Sequence, residues 1–269
     1  MDFIFYIFIT GMGLIVGSFL NVVILRIGSG LSPAKGRSQC FSCGKTLTWK
    51  ELVPVFSFFV QKGKCRGCKS RISWQYPVVE IISTVIVVGS YVVIQPLSVI
   101  GFVSWILAAA FFLLLIVVSA YDIRHKLIFD FHSLILAMLG CAFSFVRTGA
   151  FVVPNPNDLL AAIYIPFFFL IVWIITRGKG IGLGDAKLSV GLAFFLGLSQ
   201  GVAAMMLAFW VGTICTLGII AVQKVFLKKK GLSLKSEVPF GPFLAVGTAI
   251  AFFFSVDMAA IAHYVSFGL

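Results

Sequence analysis

Apolar runs of about twenty residues follow one another along almost the whole chain, and a bilayer-spanning helix needs a run of about that length. The longest runs from 186 to 223, 38 residues with almost no charge. As one helix it would measure about 57 Å, nearly twice the hydrocarbon thickness. It must therefore fold back, and "GLSQG" (197–201) is the natural turn. Only 11% of the residues are charged, against about 25% in a soluble domain. The chain reads as an all-α, polytopic membrane helical bundle whose main solvent is the lipid bilayer.

Eight spans are predicted: 3–25, 77–94, 98–121, 128–146, 159–176, 186–198, 201–223 and 239–261. The N-terminal run lacks a basic start and a small-residue cleavage site, so it reads as the first span and not as a cleaved signal. The resulting organisation is a first helix (1–26), a loop domain (27–75) and a multi-helix membrane domain (76–269). With the N-terminus outside, 20 of the 21 Lys/Arg fall in loops 26–76, 122–127, 177–187 and 224–238, and only Arg147 lies on the other side. That asymmetry puts those loops in the cytoplasm. It also accounts for the net charge of +12, so no nucleic-acid partner is expected.

The loop 27–75 is too short for a hydrophobic core of its own and needs a staple. "CFSC" (Cys40, Cys43) and "CRGC" (Cys65, Cys68) supply one. Two such knuckles offer four thiolates in a tetrahedron, the geometry of structural zinc. Four protein ligands leave no open position, so this zinc would fold the loop without taking part in chemistry. Free or redox-active thiols are the plainer reading. Cys141 and Cys215 lie alone in apolar runs and read as packing residues.

Ionisable groups at the membrane edge are functional candidates. Asp122 ends the third span and Asp185 begins the sixth, so both carboxylates reach the cytoplasmic face. Two carboxylates sharing a proton are the equipment of an aspartic protease, one taking a proton from water and the other polarising the scissile carbonyl. Asp185, at a helix N-terminus, suits the ionised role. Taken singly, each has a plainer reading. Asp185 reads as a helix cap, and Asp122 as a partner for Arg124 or Lys126. Lys187 reads as a snorkelling anchor or a group tuning Asp185, Ser18 and Asn21 as helix–helix glue, and Glu80 as the partner of a loop lysine.

Together, "GSFLNVVILR", the "CFSC…CRGC" loop, "YDIRHKLIFD" and "GLGDAK" resemble the bacterial type IV prepilin peptidases. The motif resemblance runs from about Met12 to Lys187, and more loosely to "PFGPFLAVG" (239–247). It implies a bifunctional enzyme of the bacterial cytoplasmic membrane with its active site at the cytoplasmic face. Such an enzyme cuts the basic leader from prepilins and pseudopilins after a glycine. It then N-methylates the new terminus, often phenylalanine, with S-adenosylmethionine. By motif, the catalytic aspartates map onto Asp122 and Asp185, and the zinc ligands onto Cys40, Cys43, Cys65 and Cys68. Two positions depart from the family pattern, Phe129 and Phe41, where proline is usual. No glycine-rich strand-to-helix loop marks a methyl-donor site. The competing readings are an ion-coupled transporter or channel, which should carry acids at mid-membrane, and a membrane scaffold with a zinc-bound loop.

Overall fold

The structure, a computed structural model, describes residues 2–30, 32–148, 155–223 and 238–267. The basic stretch 224–237, to which the sequence assigns a cytoplasmic loop, lies outside them. The described residues are helical with only isolated β-bridges. The chain forms two compact units, Met1–Val93 and Ile94–Leu269. Among the described residues, six helices are long and apolar enough to cross a membrane.

The first unit holds α1 (Asp2–Arg26), α2 (Phe56–Val60) and most of α3 (Gln75–Ile94). The long helices α1 and α3 meet closely where Gly13 faces Thr84 and Gly17 faces Glu80 and Ser83, the kind of small-residue contact that lets membrane helices approach. Phe5 packs on Tyr91 at 4.9 Å between ring centres. Between the helices, Arg26 ties the loop to the end of α1 by donating to the carbonyls of Ser32 and Lys35, both at 2.7 Å. Phe58 of α2 packs on Trp74 at 4.8 Å.

The second unit holds α4 (Val99–His125), α5 (Asp130–Thr148), α6 (Pro156–Thr176), α7 (Leu183–Val222), α8 (Gly241–Phe253) and α9 (Met258–Phe267). Its core is aromatic: Phe195 stacks on Phe111 at 4.2 Å and on Phe143 at 4.3 Å, and meets Phe252 at 5.2 Å. Asp158 is buried at the start of α6. It pairs with Arg147 at 3.2 Å and accepts a hydrogen bond from Ser144, so it clips α6 to the end of α5.

The helix α7 is 40 residues long but is broken at Gly197, with φ 76° and ψ −175°. Ala193 and Ala204 line one pocket, although a straight helix would hold them about 16 Å apart. The chain therefore turns back at Gly197, inside the "GLSQG" segment. That backbone conformation is open to glycine alone, and a Cβ there would lie 2.6 Å from Asp158 Oδ1. Gly197→Ala is expected to destabilise the second unit by about 1–3 kcal/mol. A thermal midpoint in detergent equal to the parent's would contradict this.

The predicted span 239–261 is not one helix. It breaks after Phe253, where Ser255 takes φ 51° and the Val256 N–H donates to the Ala251 carbonyl at 3.0 Å. Asp257 then caps α9 by accepting from the Ala260 N–H at 2.8 Å. The apolar pattern continues across the break, and the local capping bonds end the helix in spite of it.

Candidate active site and metal centre

Asp122 sits in the last turn of α4, which closes at Lys126 in the left-handed conformation, with the Lys126 N–H donating to the Asp122 carbonyl at 2.8 Å. The side chain is 5% exposed. Its Oδ2 accepts from the N–H of Gly241, the first residue of α8, at 3.1 Å. A Cβ on Gly241 would lie 2.7 Å from that oxygen, so only glycine lets the backbone come this close.

Asp185 lies in the first turn of α7 and is 6% exposed. Gly182 occupies the cap position itself. Asp185 stands three residues on and reaches back to accept from the Gly182 N–H at 3.1 Å. The glycine-rich segment thus closes on its own aspartate, and the remaining carboxylate oxygen is left for other work.

The two aspartates act on each other electrostatically. Ile128, from the α4–α5 connection, packs against both Gly184 and Gly241 and so joins the two surroundings. Both carboxylates are buried. Each receives one backbone N–H, and both donors belong to helix N-terminal segments. Tyr121, which precedes Asp122 in the chain, has His125 stacked on it at 4.3 Å and Phe129 at 4.9 Å. Phe129 is thus an aromatic packing partner here.

The four thiols of Cys40, Cys43, Cys65 and Cys68 lie within 4.8 Å of one another. Cys40 Sγ and Cys68 Sγ are 3.9 Å apart. A tetrahedron with metal–sulfur bonds of about 2.3 Å has sulfurs about 3.8 Å apart, so the donor set fits one four-coordinate ion. The two knuckles repeat one design. In the first, the Cys40 N–H donates to the Lys45 carbonyl and the Gly44 N–H returns to Cys40. In the second, the Cys65 N–H donates to Ser70 and the Lys69 N–H returns to Cys65. Gly44 and Lys69 take the same left-handed conformation at the same place. Backbone N–H groups of Ser42 and Cys43 pull the Cys40 thiol down to about 6, whereas the Cys43 thiol, despite the Lys45 N–H, is pushed up to about 11 by the Cys68 and Cys40 thiols beside it. Beside the first knuckle, Lys45 pairs with Glu51 at 2.9 Å. The Thr48 N–H and then Lys45 hold the Glu51 carboxyl down at about 2.

Residues 12–94 match the Bacterial Peptidase A24 N-terminal domain, and residues 109–217 match the Type IV leader peptidase family. A "Prepilin leader peptidase/N-methyltransferase" of Bacillus subtilis is 32% identical, over 96% of this chain and 96% of its own length.

The chain belongs to the type IV leader peptidase family.

A protein of the same name from Xanthomonas campestris pv. campestris is 30% identical over 92% of this chain and 91% of its own. The "Type 4 prepilin-like proteins leader peptide-processing enzyme" of Escherichia coli O78:H11 is 29% identical over 87% and 88%. No solved structure matches the chain.

For this leader peptidase family member, the structure also reassigns several charged groups. Lys187 pairs with Asp130 at 2.6 Å, not with Asp185. Both side chains are well exposed, so the pair adds little stability. Glu80 has no loop lysine. Its carboxylate accepts from the Val55 N–H at 2.6 Å. Sequence reasoning assigned no role to Gly241. Its one signal was a glycine between Phe240 and Pro242, just before an apolar helix.

Proposed function

We propose that this protein removes the leader peptide from type IV prepilins and pseudopilins through an aspartate dyad, and then N-methylates the new terminus. The carrying observation is the pair of buried aspartates, Asp122 and Asp185, electrostatically coupled in one helical unit and each held by a backbone N–H.

In this reading the dyad shares one proton. The ionised carboxylate takes a proton from the attacking water, and the protonated one hydrogen-bonds to the scissile carbonyl. The tetrahedral intermediate collapses as the amine leaves with a proton. Gly182 and Gly241 hold the two carboxylates in place through the step, because their N–H bonds do not depend on side-chain rotamers. The glycines of "GLGDAK" leave room for an extended substrate backbone.

A closed tetrahedron of four cysteine thiolates suits structural zinc. It would be held by Cys40, Cys43, Cys65 and Cys68 and would fold the loop. S-adenosylmethionine would supply an electrophilic methyl group. The distribution of Lys/Arg supports an orientation with the site at the cytoplasmic face, and the bacterial relatives support the bacterial cytoplasmic membrane as its location.

The test incubates purified protein with a prepilin and S-adenosylmethionine and weighs the products. The expected product is a pilin shorter by its leader and heavier by one methyl group. An intact prepilin after incubation with a well-folded preparation would overturn the reading. A transporter or a scaffold predicts that intact prepilin.

A further inference from the structure

The motif "GSFLN" and Glu80 take no part in peptide hydrolysis as described above, yet the first unit brings them together. Glu80 is 5% exposed on α3. Its hydrogen-bond partner is the Val55 N–H, at 2.6 Å, and the Ser18 hydroxyl lies beside it. One turn away on each helix, Asn21 is 1% exposed and donates to the carbonyls of Gly17 and Tyr76. Ser83 is fully buried against Gly17, and its hydroxyl has no hydrogen-bond partner.

Among the described residues the buried acids are otherwise answered. Glu51 has Lys45, Asp158 has Arg147, and Asp122 and Asp185 share their site. Glu80 has one neutral donor and no ion-pair partner. An ionised carboxylate accepts about four hydrogen bonds, and burying one without a counter-charge is costly. The residue that covers it is itself strained: Val55, β-branched, has φ 59° and ψ −54°, a conformation such residues avoid. Strain of this kind persists where the surroundings impose it, and it points to function.

We propose that Glu80, with Ser18, Asn21 and Ser83 around it, is the amine site of the methyl-transfer reaction: it binds the N-terminal ammonium of a processed substrate and takes its proton. The proposal rests on the methyltransferase half of the function given above. An α-ammonium is the missing cation, and it brings three donors to the free lone pairs of Glu80 and the idle hydroxyl of Ser83. The atoms balance. The ammonium gives one proton to Glu80. The freed nitrogen pair forms an N–C bond to the methyl group of a sulfonium donor, and the S–C pair stays on sulfur, leaving a neutral thioether. When the turn at Val55 lifts, its N–H leaves the carboxylate, the strain is released, and the amine takes that place.

The test uses short synthetic peptides with the N-terminal sequence of a processed pilin, one with a free amine and one N-acetylated. Binding is measured without methyl donor, on full-length protein in detergent. The background carries Asp122→Asn and Asp185→Asn, which removes the dyad's charges. The free-amine peptide is expected to bind at least about ten-fold more tightly. Adding Glu80→Gln, which can still accept from Val55, should remove the difference. Equal binding of the two peptides to the Asp122→Asn, Asp185→Asn protein would overturn the proposal without reliance on any Glu80 variant. Glu80→Gln alone should cut leaders at the parent rate and retain its metal, while methylating the free-amine peptide at least ~100-fold more slowly. Normal methylation by that variant would also overturn it. If the parent protein itself fails to methylate, the failure lies with the methyltransferase reading, and peptide binding still judges the amine site.

Discussion

Asp185→Asn and Asp122→Asn are each expected to abolish leader cleavage while the protein inserts, folds and keeps its metal. Asparagine preserves the size of the side chain and an acceptor for the Gly182 or Gly241 N–H. It cannot gain or lose the proton that the pair must pass. The expected loss is roughly 10³-fold or more, because the two groups act as a unit and removing either disables both. Methylation of a pre-cleaved pilin peptide needs no carboxylate pair of this kind and should persist in both variants. A helix-capping role alone predicts the opposite for Asp185→Asn, since asparagine caps about as well as aspartate. The experiment follows cleavage of a prepilin and methylation of a free-amine peptide side by side. Normal cleavage by Asp185→Asn would end the protease assignment for that residue. Loss of both reactions in a folded variant would mean that the two activities are not separable.

Removing the metal is the second large perturbation. The segment from Ser38 to Arg71 has few buried apolar residues beyond Phe58, so on the proposed reading an ion held by the four thiolates would supply most of its stability. Structural zinc contributes about 10–16 kcal/mol to small thiolate-bound domains. Elemental analysis should find about one metal per chain. Chelation, or Cys40→Ser with Cys65→Ser, should strip the metal and expose the loop amides to hydrogen exchange. The unit Ile94–Leu269 has its own aromatic core and should keep its protection. Full metal content in the double variant would refute the four-thiolate site.

Much of this was legible in the sequence, because membrane burial makes each charged residue informative. Asp122 and Asp185 stood out as acids at helix ends on one face, and the knuckle spacing announced the thiolate cluster. The fold-back at Gly197 followed from length alone. What escaped notice depended on contacts between residues remote in sequence. The Gly241 N–H reaches Asp122 across 119 positions, and Lys187 finds Asp130 across 57. The strained turn at Val55 has no signature in "LVPVF" beyond its proline. The break after Phe253 is hidden because phenylalanine, serine and valine all sit easily in a membrane helix, and only Asp257 hints at a new start.

That break has a consequence for the surrounding lipid. A helix of 13 residues, as α8 is, measures about 20 Å, some 10 Å less than the hydrocarbon layer it stands in. Its N-terminal end carries the Gly241 N–H that holds Asp122, and its other end opens into a polar turn at Ser255 and Asp257. A slab of uniform thickness would leave these ends in oil. The membrane must pinch locally around this helix, or neighbouring polar groups must line its ends. Either way the solvent boundary dips toward Asp122, and on the proposed reading the water for hydrolysis would travel a shorter distance than a flat bilayer demands.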